Sequence, residues 1–120
     1  MTRDAGPLVR PLEVDGRVVD EVELATTNRQ RRKGLLGRDG LDGGLWLEPC
    51  RQVHTLRMRF AIDVAYVDRR GLVLTTRTMP PGRMGPLLLR SRSILEAEAG
   101  TFERWGLTSG STVRTTADPG

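Results

Sequence analysis

The sequence predicts a strand-dominated α+β domain, built as a compact mixed sheet or a partly closed β-barrel-like sheet with two short helices. Short runs rich in Val, Leu, Ile and Thr recur between Gly, Pro, Asp and Ser turn residues, as short strands require. An Asp15-Gly16 pair separates two such runs and marks a tight hairpin. Helix signals occur in only two places, after Thr27 and over 101–105. At 120 residues the chain is the size of one domain, expected over 8–115, with flexible tails at 1–7 and 116–120.

The elements follow in order. Residues 8–14 and 17–25 flank Asp15-Gly16, and both turn residues need positive φ. Val22 and Leu24 give the second run one apolar face. Thr27 and Gln30 form a capping box, in which each side chain serves the other's backbone amide. A short helix through Arg31-Arg32-Lys33 to Leu36 follows, with Leu35 and Leu36 inward and Gly37 as its C-terminal cap. The basic residues lie near its end, where cations suit the helix dipole.

Residues 38–44 are a glycine-rich loop, and 45–47 a short strand stopped by Pro49. Residues 52–56 and 62–67 are extended, and the latter, apolar at most positions, is the best candidate for an inner strand. A turn at 68–71 leads to a strand at 72–78. Residues 80–86 form a long Pro/Gly loop, and 87–97 are extended. A single helical turn at 101–105 stops at Gly106. Ser109-Gly110 then turns into a last strand at 112–115.

Composition narrows the function. The formal charge is +4, from 19 basic and 15 acidic residues, and eighteen of the basic ones are arginine. Arginine forks suit phosphate and carboxylate, but acidic residues are interleaved throughout. The cluster from Arg29 to Lys33, with Arg57, Arg83, Arg90 and Arg92, accompanies no nucleic-acid motif. Five aromatics are too few for a base-stacking sheet, so nucleic acid is disfavoured as a partner. No apolar run approaches a membrane span and no signal peptide is expected, which makes the cytoplasm the expected location. Cys50 and His54 are the only zinc ligands of the usual kind, so neither a metal site nor a cofactor is expected. The glycine loops lack a phosphate-loop context, and no serine sits in a nucleophile elbow.

The stretch from Cys50 to Val64 carries Cys50, Val53-His54-Thr55, Met58, Arg59-Phe60 and Ile62-Asp63-Val64. It resembles the signature of a widespread uncharacterised family, domain-of-unknown-function family 192. Thr27, Gln30-Arg31, Gly34-Leu35 and Arg38 look like the family's opening helix. Leu95-Glu96, Ala99-Gly100, Gly106-Leu107 and Gly110 look like its closing segment. The resemblance covers about 24–114. It departs at Ala61, where proline is common, at Gln30, where Glu is usual, and at Ser111, where Asp is frequent. It implies a compact β-rich α+β fold and no established activity.

One polar constellation stands out: His54, Thr55, Arg59 and Asp63, with Arg38 near in the reading. Asp63 alternates with Ala65 and Val67, so it faces an apolar layer and needs a partner. Arg59 is the nearest natural one. In one reading Arg59 donates to a polar or anionic ligand and His54 serves as acid or base. In the other, Asp63 accepts backbone amides from the preceding turn and Arg59 neutralises it, a structural role. Cys50 and His54 are four residues apart, which on a strand is roughly 13 Å and too far for a catalytic dyad.

The expected function is a small non-catalytic ligand-binding or accessory domain. Its polar pocket would be framed by His54, Thr55, Arg59, Asp63 and Arg38 and lidded by 80–86. Its partner would be a small anionic or polar ligand, or another protein. The alternatives are a small hydrolase or transferase using His54 with Asp63 or Cys50, and a basic nucleic-acid-binding module.

Overall fold

In the computed structural model, which describes residues 8–115, the chain begins with the expected hairpin. The tails expected at 1–7 and 116–120 lie outside the described residues. Strands β1 (Leu8–Val14) and β2 (Arg17–Ala25) pair antiparallel around Asp15 and Gly16, with φ of 50° and 84°. Helix α1 (Asn28–Lys33) starts with the capping box: Thr27 accepts from the Gln30 amide, and the Gln30 side chain accepts from the Thr27 amide. It ends one turn earlier than expected. Gly34, not Gly37, is the C-cap, with φ 45° and its amide donating to the Gln30 carbonyl at 2.9 Å. The early stop swings Leu35 into the core, where it is 2% exposed.

Five strands and one helix follow: β3 (Gly44–Leu47), β4 (Ile62–Val67), β5 (Val73–Met79), β6 (Ser93–Glu98), α2 (Thr101–Trp105) and β7 (Val113–Thr115). All seven strands form one sheet, ordered β5-β4-β6-β3-β2-β1-β7. Only β2 and β3, joined through α1, run parallel, so the sheet is mixed. Its two edges meet at one end, where Leu72 bridges Thr112, the Val73 amide donates to Ser111, and the Val113 amide donates to Gly71. The result is a half-barrel, strand-dominated with two short helices, as the sequence predicted.

Alternation along the strands divides the interior into two layers. Leu12, Val22, Trp46, Ala65, Leu95, Ala97 and Val113 pack with Phe102 and Trp105 of α2. This layer draws on both edge strands, so it fills the inside of the curl. Ala25, Leu45, Leu47, Val64, Tyr66 and Ile94 form the outer layer, with Leu35, Val53 and Met58 packed against them.

Two segments expected to be strands are not. Residues 52–56 contribute only an isolated bridge between His54 and Met84. Their polar groups bond instead to the 80–86 loop: the Thr55 amide donates to Arg83 at 2.7 Å, and the amides of Gly82 and Gly85 donate to Thr55 and Val53. In the extended run expected at 87–97, only Ser93–Glu98 is strand. Residues 88–91 make a turn instead, closed by the Ser91 amide on Leu88. The Ser91 hydroxyl is buried within reach of the Cys50 and Ser93 carbonyls, at 2.9 and 3.0 Å. Among the described residues no helix is long and apolar enough to cross a membrane.

Candidate functional site

The outer layer is apolar apart from the Tyr66 hydroxyl, which donates to the Pro86 carbonyl at 2.8 Å, and one carboxyl. In β6, Ile94 packs outward while Leu95 and Ala97 pack inward, so Glu96 points outward. Its cross-strand neighbours are Leu45 of β3 and Val64 of β4, both buried and apolar. Glu96 is 3% exposed; its carboxyl has no hydrogen-bond or ion-pair partner among the described residues, and its oxygens keep slight access to solvent. An ionised carboxylate in such a place is costly, and burial pushes the Glu96 pKa up to about 8. At neutral pH the side chain is therefore mainly a carboxylic acid, with an O–H to donate.

Its carboxyl opens on a cavity of about 80 Å³ between α1 and the sheet. Leu35, Leu47, Val53 and Met58 supply the apolar wall. Cys50, Gln52 and His54 supply the polar one, and Arg31, Arg32 and Lys33 the basic rim. A single water needs roughly 10–15 Å³, so there is room for several waters or a few ligand atoms. Arg31 is held in place by the Thr26 and Glu48 carbonyls, at 2.6 and 3.2 Å, and by Asn28. The Gln52 side-chain amide donates to the Gly85 carbonyl at 3.0 Å. His54 is exposed, and its Nδ1 accepts from the Leu56 amide at 3.3 Å.

Cys50 Sγ donates to the Gln52 carbonyl at 3.3 Å. Burial pushes its thiol up, and nearby Glu96 adds to this, against weaker opposing effects from the Gln52 hydrogen bond and Arg31. A nucleophilic cysteine needs the reverse. Iodoacetamide should therefore alkylate Cys50 at pH 7 more slowly than a free thiol such as glutathione; an equal or faster rate would reveal an activated thiolate.

Of the five residues singled out by sequence, only His54 lines this cavity. Asp63 lies on the opposite face of the sheet, where it accepts from Thr78 Oγ1 at 2.8 Å and from the Gly100 and Phe102 amides at 2.9 and 3.1 Å. The expectation that backbone amides satisfy it holds, but they come from the start of α2 and not from the preceding turn. Arg59 is not its partner. It is exposed and bonds Asp39 at 3.1 Å and the Gly37 carbonyl at 3.4 Å. Arg38 forms a bidentate pair with Glu23, both bonds at 2.9 Å, which holds the Glu23 carboxyl below its usual range. Thr55 is fully buried and staples the 80–86 loop, donating to Pro80 at 2.7 Å and accepting from the Arg83 amide at 2.8 Å. That loop contributes nothing to the cavity wall, so it is a brace and not its lid. No group of three or more His, Cys, Asp or Glu among the described residues is arranged to hold a metal.

The family model of DUF192, described as an uncharacterized ACR, matches residues 11–115. The chain belongs to this family. The match reaches beyond the signature segment to include most of β1 and all of β2. A protein of unknown function from Novosphingobium aromaticivorans is similar in fold, 24% identical with a TM-score of 0.79. The alignment covers 92% of this chain and 87% of that one. A second, from Sinorhizobium meliloti and proposed there to be a transcription regulator, is 20% identical with a TM-score of 0.77. It aligns over 94% of this chain and 98% of its own. At these identities the likeness is one of fold. No curated protein matches the chain.

Proposed function

We propose that this DUF192 domain is a small non-catalytic binding module whose ligand enters the cavity under α1 and accepts a hydrogen bond from Glu96. The observation that carries the reading is a nearly buried carboxyl with no partner among the described residues, its oxygens keeping slight solvent access beside that cavity. Polar groups out of bulk water are normally hydrogen-bonded, to protein, water or ligand, so this carboxyl has capacity left for a partner from outside the chain. The basic rim of Arg31, Arg32 and Lys33 favours a small molecule bearing a carbonyl or carboxylate. His54 and Gln52 are the remaining polar groups at hand, so His54 stays in the proposed site, while Thr55, Arg59, Asp63 and Arg38 are assigned bracing roles.

Binding is favoured over turnover because the groups a hydrolase would need are not activated. The Cys50 thiol is pushed up and Asp63 is committed to the far face. The reading keeps the domain in the cytoplasm, where a free thiol stays reduced.

Acetate and acetamide are suitable probes, followed through backbone amide shifts. Both should perturb Cys50, Gln52 and His54 at pH 6. Both should lose affinity by pH 9, when Glu96 is ionised, and neither should perturb these residues in Glu96→Leu. Shifts that persist unchanged in Glu96→Leu, or none with either probe, would end the proposal.

A further inference from the structure

A second site lies at the end of the sheet where three loops meet. Arg69 and Arg70 come from the β4–β5 turn, Arg90 and Arg92 from the loop before β6, and Arg51 from the segment after β3. Together they line an open bowl of about 470 Å³, within the size range of small-molecule sites. Asp68 is the only acidic residue in its wall. We propose that this bowl binds a multiply phosphorylated anion.

The loops are pinned together by backbone bonds. The Arg92 amide donates to Val67 at 2.7 Å, the Cys50 amide to Arg92 at 2.9 Å, and the Leu88 amide to Arg51 at 3.0 Å. The arginines are thus held near one another by the fold, against their mutual repulsion. Two arginines outside the bowl are paired, Arg38 with Glu23 and Arg59 with Asp39. In the bowl, Arg92 faces Glu48 at a loose 3.5 Å, and Arg51 uses Nε on the Leu89 carbonyl. The side chains of Arg69 and Arg90 hold no hydrogen bond or ion pair with the described residues. Asp68, whose Oδ1 accepts from the Arg70 and Leu72 amides, offsets one of the five arginine charges and leaves a clear positive excess.

Guanidinium forks match phosphate oxygens two at a time, and a site already built forfeits little ordering entropy on binding. No aromatic side chain lines the bowl, so nothing in it would stack on a base. What it can recognise is phosphate. The source is either a free polyphosphate or the backbone of a nucleic acid.

The test uses the whole chain with sodium tripolyphosphate, by calorimetry, and with a labelled single-stranded oligonucleotide, by anisotropy. At least one should bind, more weakly as salt rises. Arg69→Ala together with Arg90→Ala should weaken it about tenfold, since two charge-assisted forks are removed. The melting temperature should not change, because these side chains brace nothing. Arg104→Ala together with Arg114→Ala removes the same charge outside the bowl and should have little effect. Tripolyphosphate binding alone assigns the site to free polyphosphate; oligonucleotide binding alone assigns it to a nucleic-acid backbone. Binding of neither at low salt overturns the proposal, as does equal weakening by the two double variants.

Discussion

The protein should lose stability as pH rises from about 4.5 to about 8, and Glu96→Gln should abolish most of that loss. The Glu96 pKa is raised on folding, from 4.5 to about 8. Between those values the folded state holds a proton that the unfolded state has released, so each rise in pH favours unfolding. The stability that the proton confers is complete below 4.5, declines through the window and is gone above about 8. At ~1.4 kcal/mol per pH unit the whole window is worth on the order of 5 kcal/mol. That is a large part of the 5–15 kcal/mol typical of a domain. Glu23, Glu48 and Asp68 are shifted downward, so their contributions fall away at acid pH and have the opposite sign. Urea unfolding at pH 5, 7 and 9 measures the slope. Parallel profiles for wild type and Glu96→Gln would mean that Glu96 is hydrogen-bonded and stays ionised in solution.

Asp63→Ala should cost about 3 kcal/mol, because three hydrogen bonds end on that buried carboxylate and two of their donors are backbone amides. Helix α2 has Gly100 at its N-cap and no side-chain cap there. Asp63 reaches across from β4 to perform that service, and loss of a cap alone costs about 1 kcal/mol. Asp63→Asn retains one acceptor oxygen and should lose less. Arg59→Ala breaks only an exposed ion pair and should change stability by under about 1 kcal/mol. Chemical unfolding of the three variants gives the order. Probe binding under α1 should survive in all of them, since Asp63 and Arg59 lie outside that cavity. If Asp63→Ala abolished binding in a protein that still folds, the two faces of the sheet would be coupled.

Much of the fold was legible because its punctuation is local. Asp15-Gly16, the Thr27–Gln30 box and Gly106 each encode their turn or cap within four residues, and each is found where expected. Gly34 and Gly37 were harder to separate. Both adopt positive φ, and the burial of Leu35, a tertiary matter, decides which of them ends the helix. Residues 52–56 read as strand by composition, but Thr55 spends its hydrogen bonds on the 80–86 loop. Ser91 does the equivalent at 88–91.

The candidate site was less legible for the same reason. His54, Arg59 and Asp63 are close in sequence, yet strand alternation sends Asp63 to the inner face while His54 stays on the outer one. Glu96 was passed over because a lone Glu is normally a surface residue. The available signal was its setting, between Ile94-Leu95 and Ala97 in a strand buried on both faces. Reading that strand as inner would have left Glu96 nowhere to go but the core.

The pairing of β1 with β7 has a consequence for how the domain is made. Val14 lies opposite Val113, and Leu12 opposite Thr115, so the first strand described must wait for the last. During synthesis β1 and β2 leave the ribosome early as a hairpin, with one edge open until nearly the entire domain has followed. Pairings of such sequence separation form slowly, and unpaired edges invite association with other chains. Newborn chains of this protein are thus most vulnerable before β7 emerges, and a chaperone that covers exposed strand edges would help most in that interval.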